Sequence, residues 1–225
     1  TRASVDRPDG HRQQSGLKKV SSGTSLLKDL MTLLILGLIL FLGTHSVRIF
    51  ADGWRTQTIA RLGEKPWKGL YTVVSLVGFA LIVWGYGLAR QQPVLLWQPP
   101  VMMKHLNSLF TLAAFILLAA AYVPRNHFKA RLHHPMVLGV KLWAFGHLLA
   151  TAKLADVVLF GAFLLWAILD FRAARGRDRA LGTTYAAGSM GGTLVTLVVG
   201  VAAWAAFAFW AHAAWIGIAP FGRTL

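Results

Sequence analysis

Residues Asn126–Ala150 read NHFKARLHHPMVLGVKLWAFGHLLA, and their reading decides the fold. A polar, basic opening gives way at Pro135 to an apolar helix. His133 and His134 stand at its start, and Trp143 and His147 lie inside it. Ionisable groups at membrane depth are costly and usually have a use there. Imidazole in a low-dielectric helix bundle ligates haem or a metal, relays protons, or packs as a hydrogen-bonded side chain.

The surrounding chain is a membrane protein by composition. Its 225 residues are 56% hydrophobic, with mean hydropathy +0.55, too apolar for an ordinary soluble domain. Net charge is +15, with only eight acidic residues. The basic residues fall mostly between apolar runs, the footprint of membrane loops and anionic headgroups, which excludes nucleic acid as the partner. Cysteine is absent, so disulfides, thiolate metal sites, iron–sulfur clusters and a cysteine nucleophile are excluded.

Hydropathy predicts an all-α, polytopic membrane helix bundle of about six transmembrane helices, near 30–50, 70–89, 106–123, 136–151, 154–171 and 193–219. The fourth run is short, and a re-entrant fourth segment would leave five spans. Twelve Lys and Arg lie between 48–68, 125–131 and 172–179, against four (Arg90, Lys104, Lys153, Arg223) on the opposite side. That bias puts the odd loops in the cytoplasm and both ends outside. Counting the basic residues of the first 28 nearly erases it. Trp67, Trp97 and Trp215 suit interfacial belts. Gly188-x-x-x-Gly192 suits close helix approach. Residues 29–225 read as one transmembrane domain. Residues 1–28 are polar and basic, a disordered or non-native tail.

The histidines divide by depth. His45, in Gly43-Thr44-His45-Ser46, interrupts an apolar run near the cytoplasmic end of the first span, either as a ligand or as a residue bonded to a neighbouring carbonyl. His134 precedes Pro135, which suits extended geometry and a helix start. His147 is the deepest, and Gly146 beside it would admit a flat ring such as a porphyrin. His134 and His147 are about 20 Å apart along an ideal helix, on roughly opposite faces, so one straight helix cannot offer both to one iron. Depth alone favours His45 with His134. His105, His127, His133 and His212 sit nearer the interfaces and read as structural. Glu64 reads as a local ion pair. Asp156 and Asp170 are expected to pair with Lys153 and with Arg172 or Arg175. No P-loop, GxGxxG, HExxH or Ser-His-Asp order is present. A small transporter would show an internal repeat or broken helices, and neither is evident.

Several motifs in order resemble the NnrU family of bacterial inner-membrane proteins. They are Gly43-Thr44-His45-Ser46-Val47-Arg48, Gly63-Glu64 with Trp67-Lys68-Gly69-Leu70-Tyr71, Trp84-Gly85-Tyr86, and Ala121-Tyr122-Val123-Pro124. His134-Pro135-Met136 with Gly139 and Lys141-Leu142-Trp143, and Gly146-His147-Leu148-Leu149, complete the set. The resemblance implies a multi-pass protein linked to nitrite and nitric oxide reduction in denitrifying bacteria. A related protein, plastid zeta-carotene isomerase, isomerises a carotene double bond on haem b held by histidines. Carried over by motif, the haem and its iron would be held by His45 and His147, with His134 a nearby candidate. The isomerase has a cysteine before its second histidine, where Ala144 stands here, so its ligand swap is not available. The expected partners are the lipid bilayer, an apolar or gaseous small molecule, and denitrification enzymes. The competing expectation is an accessory or assembly protein for nitrite or nitric oxide reductase. His134-Pro135 with Gly139 is also similar to the isoprenylcysteine methyltransferase group, but no Asp or Glu follows Asp178, which argues against that chemistry.

Met31 stands where the first apolar run begins, which predicts a native start at or near it. Peptide mass spectrometry of the protein from its own host is expected to find nothing from residues 1–20. Peptides from that region would overturn the expectation.

Overall fold

The computed structural model describes residues 31–222, so the expectations for the 1–28 tail, Leu30 and Arg223 fall outside it. The chain runs through α1 (Met31–Phe50), α2 (Asp52–Leu62), α3 (Glu64–Ala89) and α4 (Val101–Tyr122). It continues through α5 (His127–Leu132), α6 (Pro135–Ala150), α7 (Leu154–Leu181) and α8 (Met190–Ala206). A π-helical segment, Phe207–Ile216, extends α8. The fold is the expected all-α bundle.

Five helices are long and apolar enough to cross a membrane: α1, α3, α4, α7 and α8 with its π-helical extension. α6 has 16 residues, about 24 Å of helix against a hydrocarbon core of about 30 Å. Hydrogen bonds at its two ends show that it nevertheless runs the length of the bundle. Beside its start, Arg177 Nη1 donates to Arg48 O (3.2 Å) and Ser189 N to Arg125 O (2.7 Å). Beyond its end, Leu96 N donates to Ala152 O (2.8 Å) and Leu154 N to Val94 O (2.9 Å). Arg90 Nη1 reaches Ile216 O (2.7 Å) at that same end. The extended residues at 151–153 make up the missing length. All three Lys/Arg-rich stretches therefore gather at one end of the bundle, as the charge count required.

Several boundaries differ from the hydropathy reading. The first loop is mostly helix: α2 ends at Gly63, whose φ of 88° breaks the chain direction, and α3 then starts at Glu64 rather than near Leu70. Pro66 fits the first turn of α3. Glu64 forms its local ion pair there with Lys68 (2.7 Å). α7 extends well beyond residue 171, because its Arg-rich continuation is still helical until Gly182 turns left-handed (φ 59°). Trp67 is buried (8% exposed) rather than facing outward, with Trp54 of α2 edge-on to it at 5.8 Å. Trp97 and Trp215 are exposed, as an interfacial belt requires.

The core lies where α1, α3, α6 and α7 meet, around Leu34, Leu38, Ile82, Ala144, Leu159 and Phe160. Ile39, Val73, Leu76, Leu165 and Val198 are more than half exposed. Apolar surface of that extent suits lipid rather than water. Helices in lipid associate through small residues that let backbones touch. α1 and α3 do so: a Cβ on Gly37 would lie 2.6 Å from Ile82 N, and one on Gly78 would lie 2.7 Å from Phe41 N.

Gly37→Val is therefore expected to cost roughly 1–3 kcal/mol in thermal unfolding in detergent. Gly69→Ala, at a site with no atom within 4 Å of the added carbon, is expected to be neutral or to gain up to about 1 kcal/mol. Equal losses in both would overturn the backbone-contact reading.

Candidate functional site

The structure divides the sequence-selected histidines between two places. His45 and His147 face one aromatic seam between α1, α3, α6 and α7. His134 stands at the basic end, in a separate polar cluster.

In the seam, His45 Nδ1 bonds Phe41 O (2.7 Å) and His147 Nδ1 bonds Trp143 O (2.8 Å). A carbonyl only accepts, so Nδ1 carries the proton in both rings. The neutral imidazole then presents Nε2 as its lone-pair nitrogen. Each histidine reaches back one helical turn, so helix geometry alone fixes the tautomer. His45 packs on Phe41 (4.2 Å), Tyr71 (5.2 Å) and Trp166 (6.1 Å, edge-on). His147 stacks on Phe160 (4.5 Å) and touches Trp143 (5.4 Å).

Between the two imidazoles the seam is filled. Phe163 meets Phe41 at 5.9 Å and Trp143 at 5.5 Å, so the rings run His45, Phe41, Phe163, Trp143, His147. Their α7 neighbours Trp166 and Phe160 are six residues apart, which sets the two histidines at levels about 9 Å apart. A metal–imidazole bond is about 2 Å. Phe41, Phe163 and Trp143 stand between the two imidazoles in this conformation. Gly146 is also not an open slot, because a Cβ there would meet Asn107 Oδ1 at 2.6 Å and Phe110 Cβ at 2.8 Å. α4 occupies the side where a porphyrin was expected. Ala144, at the position of the isomerase cysteine, is fully buried in the core.

Two polar atoms beside His45 lack partners: Trp166 Nε1 and Ser75 Oγ are buried with no hydrogen bond. Ser75 lies one turn along α3 from Tyr71. A buried orphan donor is unfavourable by about 1–3 kcal/mol; Asn107 Oδ1, against Gly146 beside His147, is likewise buried without a partner.

At the basic end, His134 Nε2 donates to Asp178 Oδ2 (2.8 Å), and Tyr185 OH donates to the same oxygen (2.9 Å). His134 therefore bonds through Nε2, the opposite ring nitrogen to that used by the seam pair. It precedes α6 without capping it by its side chain, and Pro135 takes the first helical turn as expected. His133, at φ 69°, stacks on Tyr185 (4.2 Å, 10°) and accepts from Arg175. Asp170 lies within electrostatic reach of both His45 and His134, with Arg177 and Arg48.

The remaining acids depart from expectation. Asp156 accepts from Tyr86 OH (2.6 Å) and from Thr151 rather than pairing with Lys153. Asp170 makes no ion pair with Arg172 or Arg175 among the described residues. Arg175 reaches His133 instead. His127 bonds Thr193 (2.7 Å) and His212 bonds Ile218 O (2.6 Å). Asp178, Tyr185, Trp166 and Asn126 were missed. Only Asn126 carried a signal, as a helix N-cap after Pro124-Arg125.

Partial loss of solvent, and then the bond to the Asp178 carboxylate, push the Tyr185 phenol up to about 12. A raised phenol stabilises the fold fully below its ordinary value of about 10, and that contribution is lost as pH rises through about 12. Tyr185→Phe should thus lower thermal stability at pH 8, with the difference shrinking toward pH 12. In wild type minus variant, the 295 nm phenolate signal should appear above pH 11. Its appearance by pH 10 would overturn the assignment.

Among known families, the chain matches the model described as NnrU protein over residues 33–220. No curated protein and no solved structure matches it. The match spans most of the chain and includes His45, His134 and His147, and the protein belongs to the NnrU family.

Proposed function

We propose that this NnrU-family chain is a multi-pass bacterial inner-membrane protein that holds haem b on an imidazole of the α1–α7 seam. Its role on this reading lies in nitrite and nitric oxide metabolism or in polyene cis–trans isomerisation. The observation that carries the reading is the shared tautomer of His45 and His147. Protein ligands to metals typically donate their second ring nitrogen to a carbonyl or carboxylate, and both histidines do so.

On this reading haem b would be held by a single imidazole while the seam stays filled. His45 is the preferred ligand, because the orphan Trp166 Nε1 and Ser75 Oγ lie on its side. His147 becomes a second ligand to the same iron only if Phe163 and its neighbours leave the seam. When bound, haem b supplies an iron for a gaseous ligand such as nitric oxide or for an apolar polyene. The chain's own residues do the rest. Phe41, Tyr71 and Trp166 exclude water from the His45 ring. The Phe41 carbonyl holds the ring in its Nε2-presenting tautomer. Trp166 and Ser75 offer hydrogen bonds to an acceptor brought with the group.

The competing reading is a non-catalytic accessory protein for nitrite or nitric oxide reductase. The filled seam favours it, since Phe41 already packs on His45 and Phe160 and Trp143 on His147, with Phe163 between them.

Visible spectra of detergent-purified protein, oxidised and dithionite-reduced, separate these readings. Haem-replete wild type is expected to show a stoichiometric Soret band that His45→Ala abolishes and His147→Ala leaves in place. Loss in both variants would mean that the seam opens and both histidines ligate. No band in wild type would overturn haem binding and leave the accessory role.

A further inference from the structure

We infer that a cavity at the basic end of the bundle binds a phosphate-bearing anion, with an anionic lipid headgroup the favoured source. The cavity is about 250 Å³ and is lined by Pro124, Arg125, Asn126, Lys129, Tyr185 and Ala186. It lies apart from the seam and does not depend on haem.

The backbone around the cavity is held in a costly shape. Arg125 is a non-glycine residue at φ 51°, a conformation L residues adopt rarely and at a cost. Ser189 pins it there, donating from N (2.7 Å) and from Oγ (3.0 Å) to Arg125 O. The Gly188-x-x-x-Gly192 motif permits this approach. A Cβ on Gly188 would lie 2.6 Å from the His127 ring, and one on Gly192 would collide with the Arg125 carbonyl. The motif thus admits the 124–127 segment rather than a partner helix. Asn126, 1% exposed, completes the frame. Its Nδ2 donates to Ala120 O (2.9 Å) and Val123 O (2.6 Å), and its Oδ1 accepts from Lys129 N (2.8 Å).

What this frame presents is unpaired positive charge. Among the described residues, neither Arg125 nor Lys129 forms an ion pair. Lys129 Nζ donates once, to Ala121 O (3.0 Å), and an ammonium has two further donors. Asp178, reached through the cavity wall at Tyr185, is already taken by Tyr185 and His134. The volume is below that of sites for drug-sized ligands and suits a phosphodiester group. The Lys/Arg-rich loops share this end of the bundle, where anionic headgroups gather, and basic pockets between membrane helices hold such groups.

The test is native mass spectrometry of the full chain in detergent, titrated with phosphatidylglycerol and with phosphatidylcholine. Wild type should retain phosphatidylglycerol with about tenfold preference. Arg125→Gln with Lys129→Gln should lose most of that preference. Lys129→Gln alone, which leaves the strained Arg125 backbone untouched, should lose part of it. Arg61→Gln with Arg179→Gln removes equal charge at the same end outside the cavity, and should change it less than about twofold. No preference in wild type, full preference in the Arg125/Lys129 variant, or equal loss in the control pair would each overturn the site. A parallel arm adds millimolar inorganic phosphate. Phosphate that displaces the lipid from wild type, and broadens its own 31P signal only when Arg125 and Lys129 are present, would support the anion site and overturn the lipid as its source.

Discussion

Hydrocarbon offers no water to an imidazole, so each histidine inside this bundle must find its hydrogen bond within the protein. That constraint organises both polar places in the structure. His45 and His147 satisfy it with the carbonyl one turn back on their own helices. This bond needs no partner helix, fixes the tautomer, and leaves Nε2 unprotonated. His134 does not use it: it lies in the break between α5 and α6, outside both helices. It takes a carboxylate from α7 instead. The same chemical need is therefore met through opposite ring nitrogens, Nδ1 in the seam and Nε2 in the polar cluster.

Packing determines how those nitrogens can be used. The α1–α3 contact is made through Gly37 and Gly78 at backbone distance, which fixes α1 and so the level of His45. α6 is pressed against α4 at Gly146, which turns His147 toward α7. The aromatic rings between the two histidines fill the interval with dispersion contacts. A group entering the seam must displace Phe163 or an adjacent ring. The barrier to binding is then a side-chain rearrangement, and the orphaned Trp166 and Ser75 atoms offset part of its cost at the His45 end.

Much of the scaffold was legible in the sequence because hydrophobicity and charge act locally. Apolar runs marked the spans, Lys/Arg-rich loops marked one end, and Pro135 marked the start of α6. The helix extensions were less legible. Arg172–Arg179 is helical although it is not apolar, and α2 shares its loop with no hydropathic contrast. Trp67 looked interfacial because nothing in its own neighbourhood announces that Trp54 sits edge-on to it. Asp178 and Tyr185 were illegible as site residues, since each becomes informative only beside His134, which is 44 and 51 residues away in the chain.

The sequence by itself determined that this is a helical membrane protein, that it sets histidines within or beside its apolar segments, and that it carries the motifs of its family. Those properties follow from composition and from short patterns, which any single segment displays. The tertiary structure alone decided which histidines share a seam, what stands between them, and which acid each one meets. Such relations are set by helix rotation and level, and these depend on glycine contacts between segments far apart in the chain. It also turned the Gly188-x-x-x-Gly192 motif from a helix-pairing signal into a seat for the 124–127 loop, because the atoms a Cβ would strike there belong to that loop.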